Sequence, residues 1–271
     1  MKQAMILAAG LGTRLKPLTD RMPKALVEVA GQPLLWHVIM KLRAAGYGRM
    51  VVNVHHFAQQ IVDYLATNDN FGLDISISDE TEQLLETGGA LKKAQAMFDP
   101  DEPILIHNVD ILDNVDFDWL RRQHQNDENA VLLVSRRTTQ RYLLFDNTMR
   151  LMGWKNNATG EVKSPYPWLR ESGFSIGDTL EVVAQPDAPF TTHHPPLYAF
   201  AFSGIHSFSP RLFPLMERFP DRFSIMDFYL SICDCSHVVG LLKGDLRILD
   251  VGKLDTLDKA ELFLTTTNYT N

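Results

Sequence analysis

The sequence predicts an α/β fold: a doubly wound, mostly parallel, Rossmann-like mixed sheet with helices on both faces. Short apolar runs that suit buried strands alternate with segments whose apolar residues recur at helical spacing, from the start of the chain to residue 135. Such alternation is typical of parallel strands joined by crossover helices. With 271 residues and 45% hydrophobic content, the chain is long and apolar enough to bury a core of this kind.

Each element can be placed from its local pattern. Apolar runs predict buried strands at 5–9, 50–54, 104–106 and 131–135. Alternation of apolar and polar residues predicts a further strand, with one wetter face, at 73–77. Helical spacing predicts connecting helices at 34–42, 57–65, 85–97 and 116–124. The last part of the chain predicts strands at 197–208, 238–242 and 246–250, and helices at 210–218, 226–232 and 254–264.

The first predicted strand ends in a loop that suits a polyphosphate. Gly10 and Gly12 let the backbone turn sharply and let a ligand approach its amide groups. Thr13 adds a hydroxyl, Arg14 adds a forked cation, and Lys24 adds a further cation downstream. Backbone amides at such a turn bind phosphate oxygens, and the cations offset the charge of those oxygens.

Two widespread phosphate-binding loops do not fit this stretch. A dinucleotide fingerprint needs a third glycine, whereas Leu15 occupies that position. A P-loop needs glycine followed by lysine and serine or threonine, which Gly12, Thr13 and Arg14 do not supply. The sequence therefore disfavours both an oxidoreductase on a dinucleotide fold and a P-loop enzyme.

Two aspartates are predicted at the carboxyl edge of the sheet, which is where open α/β sheets bind ligands. Asp110 comes soon after strand 104–106, and Asp250 ends strand 246–250. Carboxylate oxygens beside a phosphate-binding loop suit Mg²⁺, so we expect both residues to be metal ligands. Either aspartate taken alone also fits a turn or a helix cap, so the pair carries the metal hypothesis.

The run from Leu7 to Lys24 reads L-A-A-G-L-G-T-R-L-K-P-L-T-D-R-M-P-K and resembles, without a gap, the signature of the sugar nucleotidyltransferases. Members of this family join a nucleoside triphosphate to a sugar 1-phosphate and release pyrophosphate. The chain most resembles the short N-acetylmuramate-1-phosphate uridylyltransferases and mannose-1-phosphate guanylyltransferases. The likeness is close over residues 5–97 and returns in islands at 104–110, 200–210 and 247–252.

The resemblance implies a set of site residues and agrees with the two aspartates as metal ligands. Arg14 and Lys24 would be catalytic, with Arg14 on the leaving pyrophosphate and Lys24 on the reacting phosphoryl groups. Asn108 and Gly204 would bind the sugar. The nucleotide-binding residues implied by the family motifs are Leu7, Ala9, Gly10, Gly12, Thr13, Arg14, Glu86, Gly88 and Gly89.

The composition changes between residues 138 and 196, which are rich in aromatic residues, proline, glycine and asparagine. We expect short strands and long loops there, forming an insertion or a small substrate-facing lobe within a single domain that spans residues 1–271. Aromatic rings stack well on the apolar faces of sugars. The candidate rings in this stretch are Trp154, Tyr166, Trp168 and Phe174.

The activity implied by the resemblance is uridylyl or guanylyl transfer to N-acetylmuramate 1-phosphate, mannose 1-phosphate or a related sugar phosphate. The alternative is a catalytically silent NDP-sugar-binding or regulatory subunit of the same fold. This alternative is motivated by Val109 and Lys253, which stand where the family usually has glycine and threonine.

Composition narrows the partners and the setting. A formal net charge of -7 disfavours a nucleic-acid partner, which would favour a basic surface. The chain has two cysteines, Cys233 and Cys235, too few for a disulfide framework, and no apolar run long enough for a membrane span. We therefore expect a cytoplasmic protein that binds small phosphorylated substrates as a monomer or homodimer.

Overall fold

A mixed β-sheet runs through the centre of the protein, for which the computed structural model describes residues 1–124, 128–171, 173–177, 180–184 and 196–267. The strands are β1 (Gln3–Leu7), β2 (Glu28–Val29), β3 (Gln32–Pro33), β4 (Arg49–Val54), β5 (Asp74–Asp79), β6 (Ile104–Asn108), β7 (Ile111–Asp113), β8 (Ala130–Ser135), β9 (Arg141–Phe145), β10 (Leu151–Asn156), β11 (Val162–Lys163), β12 (Phe174–Ile176), β13 (Val182–Ala184), β14 (Tyr198–Phe208), β15 (Val238–Leu242) and β16 (Ile248–Asp250). The helices are α1 (Leu34–Ala44), α2 (Ala58–Thr67), α3 (Glu86–Lys93), α4 (Phe117–Gln123), α5 (Pro167–Glu171), α6 (Phe213–Met216), α7 (Ile225–Ile232) and α8 (Leu254–Thr267).

One half of the sheet is parallel and contains the amino-terminal strands in the order β5, β4, β1, β6. Leu7 at the end of β1 lies beside Asn53 on one side and Asn108 on the other. The carboxyl ends of these strands therefore meet at one edge, where α/β sheets bind ligands. This arrangement confirms the predicted fold class.

Strand β14 separates this half from a second parallel pair. It is antiparallel to β6 on one side and to β8 on the other, and β8 is parallel to β15. The pairing of β14 with β8 shifts register between Phe202 and His206, and Gly204 within that interval has a φ of 82°. A bulge of this kind bends a strand and re-aims its side chains.

Alternate residues of β1 enter two separate hydrophobic cores, as expected for a strand covered on both faces. Ala4 and Ile6 belong to a core that also contains residues of α1 and α8, whereas Met5 belongs to a core built with α3 and α7. The helices therefore cover both faces of the sheet. None of the described helices combines the length and apolarity needed to cross a lipid bilayer.

The described part of residues 138–196 consists of short antiparallel strands and one short helix. Strands β9, β10 and β11 continue the sheet outward from β14, and β12 pairs with β13 in a separate hairpin. A small core beneath them contains Leu144, Leu169 and Phe174, with Trp168 packed against it. Part of the predicted substrate-facing lobe, residues 172, 178–179 and 185–195, lies outside the described residues.

Strand β16 does not belong to the main sheet, and the prediction that Asp250 ends a neighbouring sheet strand is wrong. β16 pairs antiparallel with the three-residue strand β7, which places Asp250 beside Ile111. The N–H of Val251 donates to the carbonyl oxygen of Asp110 at 2.8 Å. A two-stranded ribbon, not a sheet edge, therefore brings the two aspartates together.

Candidate active site

The loop after β1 is folded back on itself by its second glycine. Gly12 has a φ of +63°, and a Cβ there would lie 2.7 Å from Thr19 Cγ2 and 3.1 Å from Lys24 Cβ. The Thr19 hydroxyl donates to the carbonyl oxygen of Gly12 at 2.8 Å, which fixes the loop against the segment that carries Lys24. Gly10, in contrast, is exposed, and a Cβ there would meet nothing within 4 Å, which leaves space for a ligand to approach the backbone.

A buried hydrogen-bond network joins this loop to the segment before α3. The Asn53 side chain accepts from the backbone N–H of Ala8 at 2.7 Å and donates to Glu80 at 2.8 Å. The other carboxylate oxygen of Glu80 accepts from the backbone N–H of Leu85 at 3.0 Å. Asn53 is 3% exposed and Glu80 is 1% exposed, and burial raises the pKa of Glu80. The network therefore sets the distance between two segments that face each other.

A cavity of about 380 Å³ opens between these two segments, at the carboxyl ends of β1, β4 and β6. We call it the nucleotide cavity, after the ligand that the sequence predicts for several of its lining residues. The predicted site residues that line it are Leu7, Ala9, Gly10, Lys24, Glu86, Asn108 and Asp110. The remaining predicted residues lie in neighbouring segments and do not line it: Gly12, Thr13, Arg14, Gly88, Gly89, Gly204 and Asp250.

The two predicted catalytic cations each face one of the two predicted metal ligands. Lys24 donates to Asp110 in an ion pair whose side chains are only 10% and 18% exposed. Arg14 and Asp250 form a looser pair, with 4.0 Å between Arg14 Nη2 and Asp250 Oδ2. Partial burial makes the Lys24–Asp110 pair electrostatically stronger than a pair in open solvent, whereas the side chains of Arg14 and Asp250 are 55% and 40% exposed. Positive and negative groups are thus concentrated at one side of the nucleotide cavity.

Asp110 and Asp250 have the donor chemistry of a magnesium site. Oδ1 of Asp250 is buried and has no hydrogen-bond partner among the described residues. A Cβ at Gly252 would lie 2.6 Å from this oxygen, so the glycine keeps space open beside the carboxylate. Mg²⁺ is commonly held by one or two carboxylates together with phosphate oxygens and water. In the described part of the chain, no group of three or more His, Cys, Asp or Glu side chains could hold a metal ion by itself.

A buried ion cluster anchors β7 behind the two aspartates. Asp113 is fully buried, accepts from Lys41 and from the backbone N–H of Val115, and lies 3.1 Å from His107 Nε2. Burial alone would raise the pKa of Asp113, but Lys41 and His107 outweigh it and lower that pKa. The other ring nitrogen of His107 lies 2.8 Å from the carbonyl oxygen of Asn108. The cluster therefore ties β7 to the end of β6, and Asp110 lies between these two strands.

Gly88 and Gly89 pack against residues 221–225. Their N–H groups donate to the carbonyl oxygen of Phe223 at 2.9 and 3.2 Å. A Cβ at Gly88 would lie 2.4 Å from the Phe223 ring, and one at Gly89 would lie 2.0 Å from the carbonyl oxygen of Asp221. The two glycines thus admit the segment that brings Ser224 to the nucleotide cavity. Their contact with a nucleotide stays a prediction.

The two residues predicted to bind the sugar, Asn108 and Gly204, are neighbours. A Cβ at Gly204 would lie 2.9 Å from the side-chain nitrogen of Asn108. Val109 beside them is 3% exposed, and its side chain belongs to the hydrophobic core. The valine that departs from the family pattern therefore packs in the core and also contributes to the lining of the nucleotide cavity.

A second cavity, of about 540 Å³, lies between the lobe and α7, and we call it the lobe cavity. Its lining includes the rings of Trp154 and Phe202 and the charged groups of Arg137, Arg141 and Glu161. Ser224 lines both this cavity and the nucleotide cavity, so the two are adjacent. The other tryptophan predicted to face a substrate, Trp168, packs against the small core of the lobe.

A family profile identifies the protein family of this chain. The family profile described as Nucleotidyl transferase matches residues 3–142, just over half of the chain. The chain belongs to this family. The match covers the glycine loop, Lys24, the Asn53 network and Asp110. A nucleotidyl transferase of this kind is what the run from residue 7 to residue 24 predicts, and the predicted family is confirmed.

This nucleotidyl transferase is similar to curated relatives over part of their length. It is 50% identical over 111 residues to the N-acetylmuramate alpha-1-phosphate uridylyltransferase of Caulobacter vibrioides, covering 40% of this chain and 46% of the relative. It is 37% identical over 134 residues to the mannose-1-phosphate guanyltransferase of Gibberella zeae, covering 49% of this chain and 36% of the relative. The chain therefore spans less than half the length of each relative in these matches.

The fold is shared over nearly the whole chain with a solved structure. The inositol-1-phosphate CTP transferase from T. maritima superposes with a TM-score of 0.71 at 14% identity, covering 99% of this chain and 96% of that one. At this level of identity the likeness concerns the fold.

Several residues of the candidate site were missed from the sequence. Asn53 and Ser224 line the nucleotide cavity, and Glu80 supports it from behind. Asn53 had a usable signal, because it is the single polar residue in the apolar run 50–54, and buried polar groups are almost always hydrogen-bonded. Ser224 had none, because its place at the cavity depends on the docking of its segment on α3.

Proposed function

We propose that this nucleotidyl transferase moves a nucleoside monophosphate from a nucleoside triphosphate to a sugar 1-phosphate, with release of pyrophosphate. One observation carries the proposal. The nucleotide cavity, with the Lys24–Asp110 pair in its lining, adjoins the lobe cavity at Ser224. Two substrates that react with each other need adjacent sites, and two phosphate groups need cations and a metal between them.

The proposed reaction requires alignment and charge stabilisation, not a nucleophile from the protein. An oxygen of the sugar 1-phosphate attacks the α-phosphorus in line, the bond from that phosphorus to the bridging oxygen breaks, and pyrophosphate leaves. A phosphate monoester is itself the nucleophile, so neither serine nor cysteine is required. Lys24 holds the phosphoryl oxygens at the reacting phosphorus, and Arg14 holds the leaving pyrophosphate.

Substrate binding exchanges ionic partners in this proposal. Lys24 is paired with Asp110, and Arg14 faces Asp250. The phosphate oxygens of the substrates take over the two cations. Asp110 and Asp250 would hold Mg²⁺, which when bound offsets the negative charge of the α-phosphate. The exchange keeps the largely buried charges of Lys24 and Asp110 compensated, which lowers the cost of bringing anionic substrates together.

We infer that the transferred group is uridylyl or guanylyl and that the acceptor is N-acetylmuramate 1-phosphate, mannose 1-phosphate or a related sugar phosphate. The names of the two curated relatives support this choice of classes. The lobe cavity supports a sugar, because its two rings offer apolar faces while its charged side chains reach hydroxyl groups.

A matrix of nucleoside triphosphates against sugar 1-phosphates, scored for pyrophosphate, tests the proposal. We expect pyrophosphate only when both substrates are present, with UTP or GTP giving the fastest release. The absence of pyrophosphate from every pair, in the presence of Mg²⁺, would contradict an enzymatic role. Binding of an NDP-sugar without turnover would then establish the silent binding or regulatory subunit.

The structure gives little support to the silent alternative. Val109 is accommodated in the core, and Lys253 lies exposed at the start of α8. The Thr256 hydroxyl donates to the carbonyl oxygen of Lys253 at 2.6 Å, so a local turn fixes the position of this lysine. Neither departure from the family pattern removes a cation or carboxylate from the candidate site.

Replacing Trp154 by alanine is expected to raise the KM for the sugar 1-phosphate roughly tenfold, a loss of about 1.4 kcal/mol. Trp154 lines the lobe cavity, and loss of the ring removes the apolar face on which a sugar stacks. The KM for the nucleoside triphosphate should stay within about twofold, because the ring does not line the nucleotide cavity. Steady-state kinetics with each substrate varied in turn provide the measurement.

Trp168→Ala is the matched control for Trp154→Ala. It removes the same ring from the same lobe; both tryptophans pack partly against a hydrophobic core, but Trp168, unlike Trp154, does not line the lobe cavity. We expect lower thermal stability with little change in either KM. Equal effects of the two substitutions on the KM for the sugar phosphate would contradict the proposal that the lobe cavity binds the sugar.

Asn53→Ala is expected to raise the KM for the nucleoside triphosphate by about tenfold or more, with a smaller effect on the sugar phosphate. The substitution leaves the N–H of Ala8 and one oxygen of Glu80 without their buried partner. A buried hydrogen bond to a charged group is worth about 1.5–3 kcal/mol. The lost hydrogen bonds join the two segments that face each other across the nucleotide cavity, so their loss changes the spacing of the site where the triphosphate would bind.

The control for this substitution is Asn68→Ala, which removes an exposed asparagine that bonds to the carbonyl oxygen of Tyr64. It should leave both KM values unchanged. A purely structural role for Asn53 predicts a lower melting temperature with both KM values unchanged, and that result would refute the positioning role.

A further inference from the structure

A third cavity, of about 460 Å³, lies apart from the nucleotide cavity at the carboxyl ends of β8 and β15. Four cations line it, which are Arg136, Arg137, Lys243 and Arg247. We call it the basic cavity. The positive charge of this lining contrasts with the formal net charge of -7 of the whole chain. Like charges lining one cavity repel each other, so their concentration here requires an explanation.

The guanidinium groups of the basic cavity are held by neutral groups. Arg137 donates to the carbonyl oxygen of Phe202 at 2.9 Å, and Arg136 lies 5.4 Å from the centroid of the Phe200 ring. Arg247 donates to the carbonyl oxygen and the hydroxyl of Thr266, both at 3.0 Å. None of these three arginines forms an ion pair with a carboxylate among the described residues. Hydrogen bonds orient Arg137 and Arg247, and all three arginines are exposed cations without a carboxylate partner among the described residues.

The fourth cation is carried by a preformed loop. Lys243 pairs with Asp245, whose side chain is 78% exposed and so offers a weakly held, solvated partner. Asn114 braces this loop, because its side chain donates to the carbonyl oxygen of Asp245 at 2.9 Å and accepts from the N–H of Arg247 at 2.8 Å. At Gly244 a Cβ would meet nothing within 4 Å, so the rim of the cavity is open.

The chemistry of this lining fits phosphate oxygens. Guanidinium groups bind phosphate through paired N–H donors, and an ammonium adds a mobile point charge. Ser135 also lines the cavity, is 8% exposed, and its hydroxyl has no hydrogen-bond partner among the described residues. The carboxyl ends of parallel strands are the usual place for a ligand in α/β sheets. β8 and β15 end at the same edge of the sheet as β6, on the other side of β14 from the nucleotide cavity.

We propose that the basic cavity binds a phosphate-bearing small molecule at a site that is distinct from the nucleotide cavity and adjoins the lobe cavity at Arg137. Its size excludes a macromolecule from the interior, and its charge selects an anion. The site does not depend on the proposed function, because the residues unique to it take no part in nucleotidyl transfer.

Calorimetric titration with inorganic pyrophosphate, without Mg²⁺, tests the proposal. The titrations use the full chain carrying Arg14→Ala, which weakens binding at the substrate site. We expect this protein to bind pyrophosphate, and the further double substitution Arg136→Ala and Lys243→Ala to weaken the affinity at least about tenfold. Arg137 is left intact because it also lines the lobe cavity.

The matched control carries Arg43→Ala and Lys259→Ala, which remove two exposed cations that line none of the three cavities. It should bind pyrophosphate as the Arg14→Ala protein does, and circular dichroism should show the same fold in all three proteins. Unchanged affinity after loss of Arg136 and Lys243 would overturn the proposal. So would the absence of any binding to the Arg14→Ala protein at millimolar pyrophosphate.

Discussion

Replacing Asp110 by asparagine is expected to lower kcat by on the order of 10²–10³-fold while the fold survives. Asparagine keeps the shape of the side chain but removes the charge that pairs with Lys24 and that would bind Mg²⁺. The loss falls on transition-state charge stabilisation, so it should appear in kcat more than in either KM. Asp250→Asn should behave alike, because Asp250 is held beside Asp110 by the β7–β16 ribbon. Pyrophosphate release at limiting Mg²⁺ gives the measurement.

Asp20→Asn provides the control for Asp110→Asn. Asp20 lies in the loop after β1 and pairs with Lys16 at 3.0 Å. Its side chain is 49% exposed and does not line the nucleotide cavity. It makes the same change of charge and should leave kcat within about twofold, as expected for an exposed pair. Rates near that of the unmodified protein for both Asp110→Asn and Asp250→Asn would refute their assignment as metal ligands.

The parts of the site that depend on one strand and its loop could be predicted from the sequence. An apolar run followed by Gly10 and Gly12 determines where the chain must turn, and the structure places Gly10 at the cavity and Gly12 against Thr19. Asp110 could be placed at the same edge because it closely follows a parallel strand. Local patterning carries this information since burial and backbone conformation act over a few residues.

The parts that depend on pairing between distant segments could not be predicted. Strand β7 has three residues, so its pairing with β16 has no signal in either segment and follows from the packing of the whole domain. Gly88 and Gly89 show the same limit. Their sequence permits close approach of a partner, and only the structure identifies that partner as the segment around Phe223.

Buried polar residues mark a further limit of the prediction. Asn53 and Glu80 lie on β4 and just after β5, and neither belongs to a recognisable motif. Their importance follows from a requirement that emerges after folding, because each buried donor and acceptor needs a partner. Together they satisfy the backbone on both sides of the nucleotide cavity. The same reasoning applies to the ion cluster around Asp113, which lies deeper in the molecule.

Replacing Asp113 by alanine is expected to lower the free energy of unfolding by about 3–5 kcal/mol. Asp113 is fully buried, and its carboxylate compensates the ammonium of Lys41 and faces His107. Removing it leaves positive charge in the core without the group that offsets it. Urea unfolding followed by circular dichroism provides the measurement. The free energy of unfolding of Asp113→Asn, which keeps the shape of the side chain, should lie between those of the unmodified protein and Asp113→Ala.

Two further variants separate the loss of charge compensation from a general loss of packing. Asp245→Ala removes an exposed partner of Lys243 and should cost less than about 1 kcal/mol. Adding Lys41→Met to Asp113→Ala should restore part of the lost stability, because the second change removes a buried charge that has lost its carboxylate. Additive losses in this double variant would show that the Lys41–Asp113 pair does not act as a charge pair. Full recovery would show that the cost of Asp113→Ala comes from the uncompensated charge of Lys41 and not from the lost volume of Asp113.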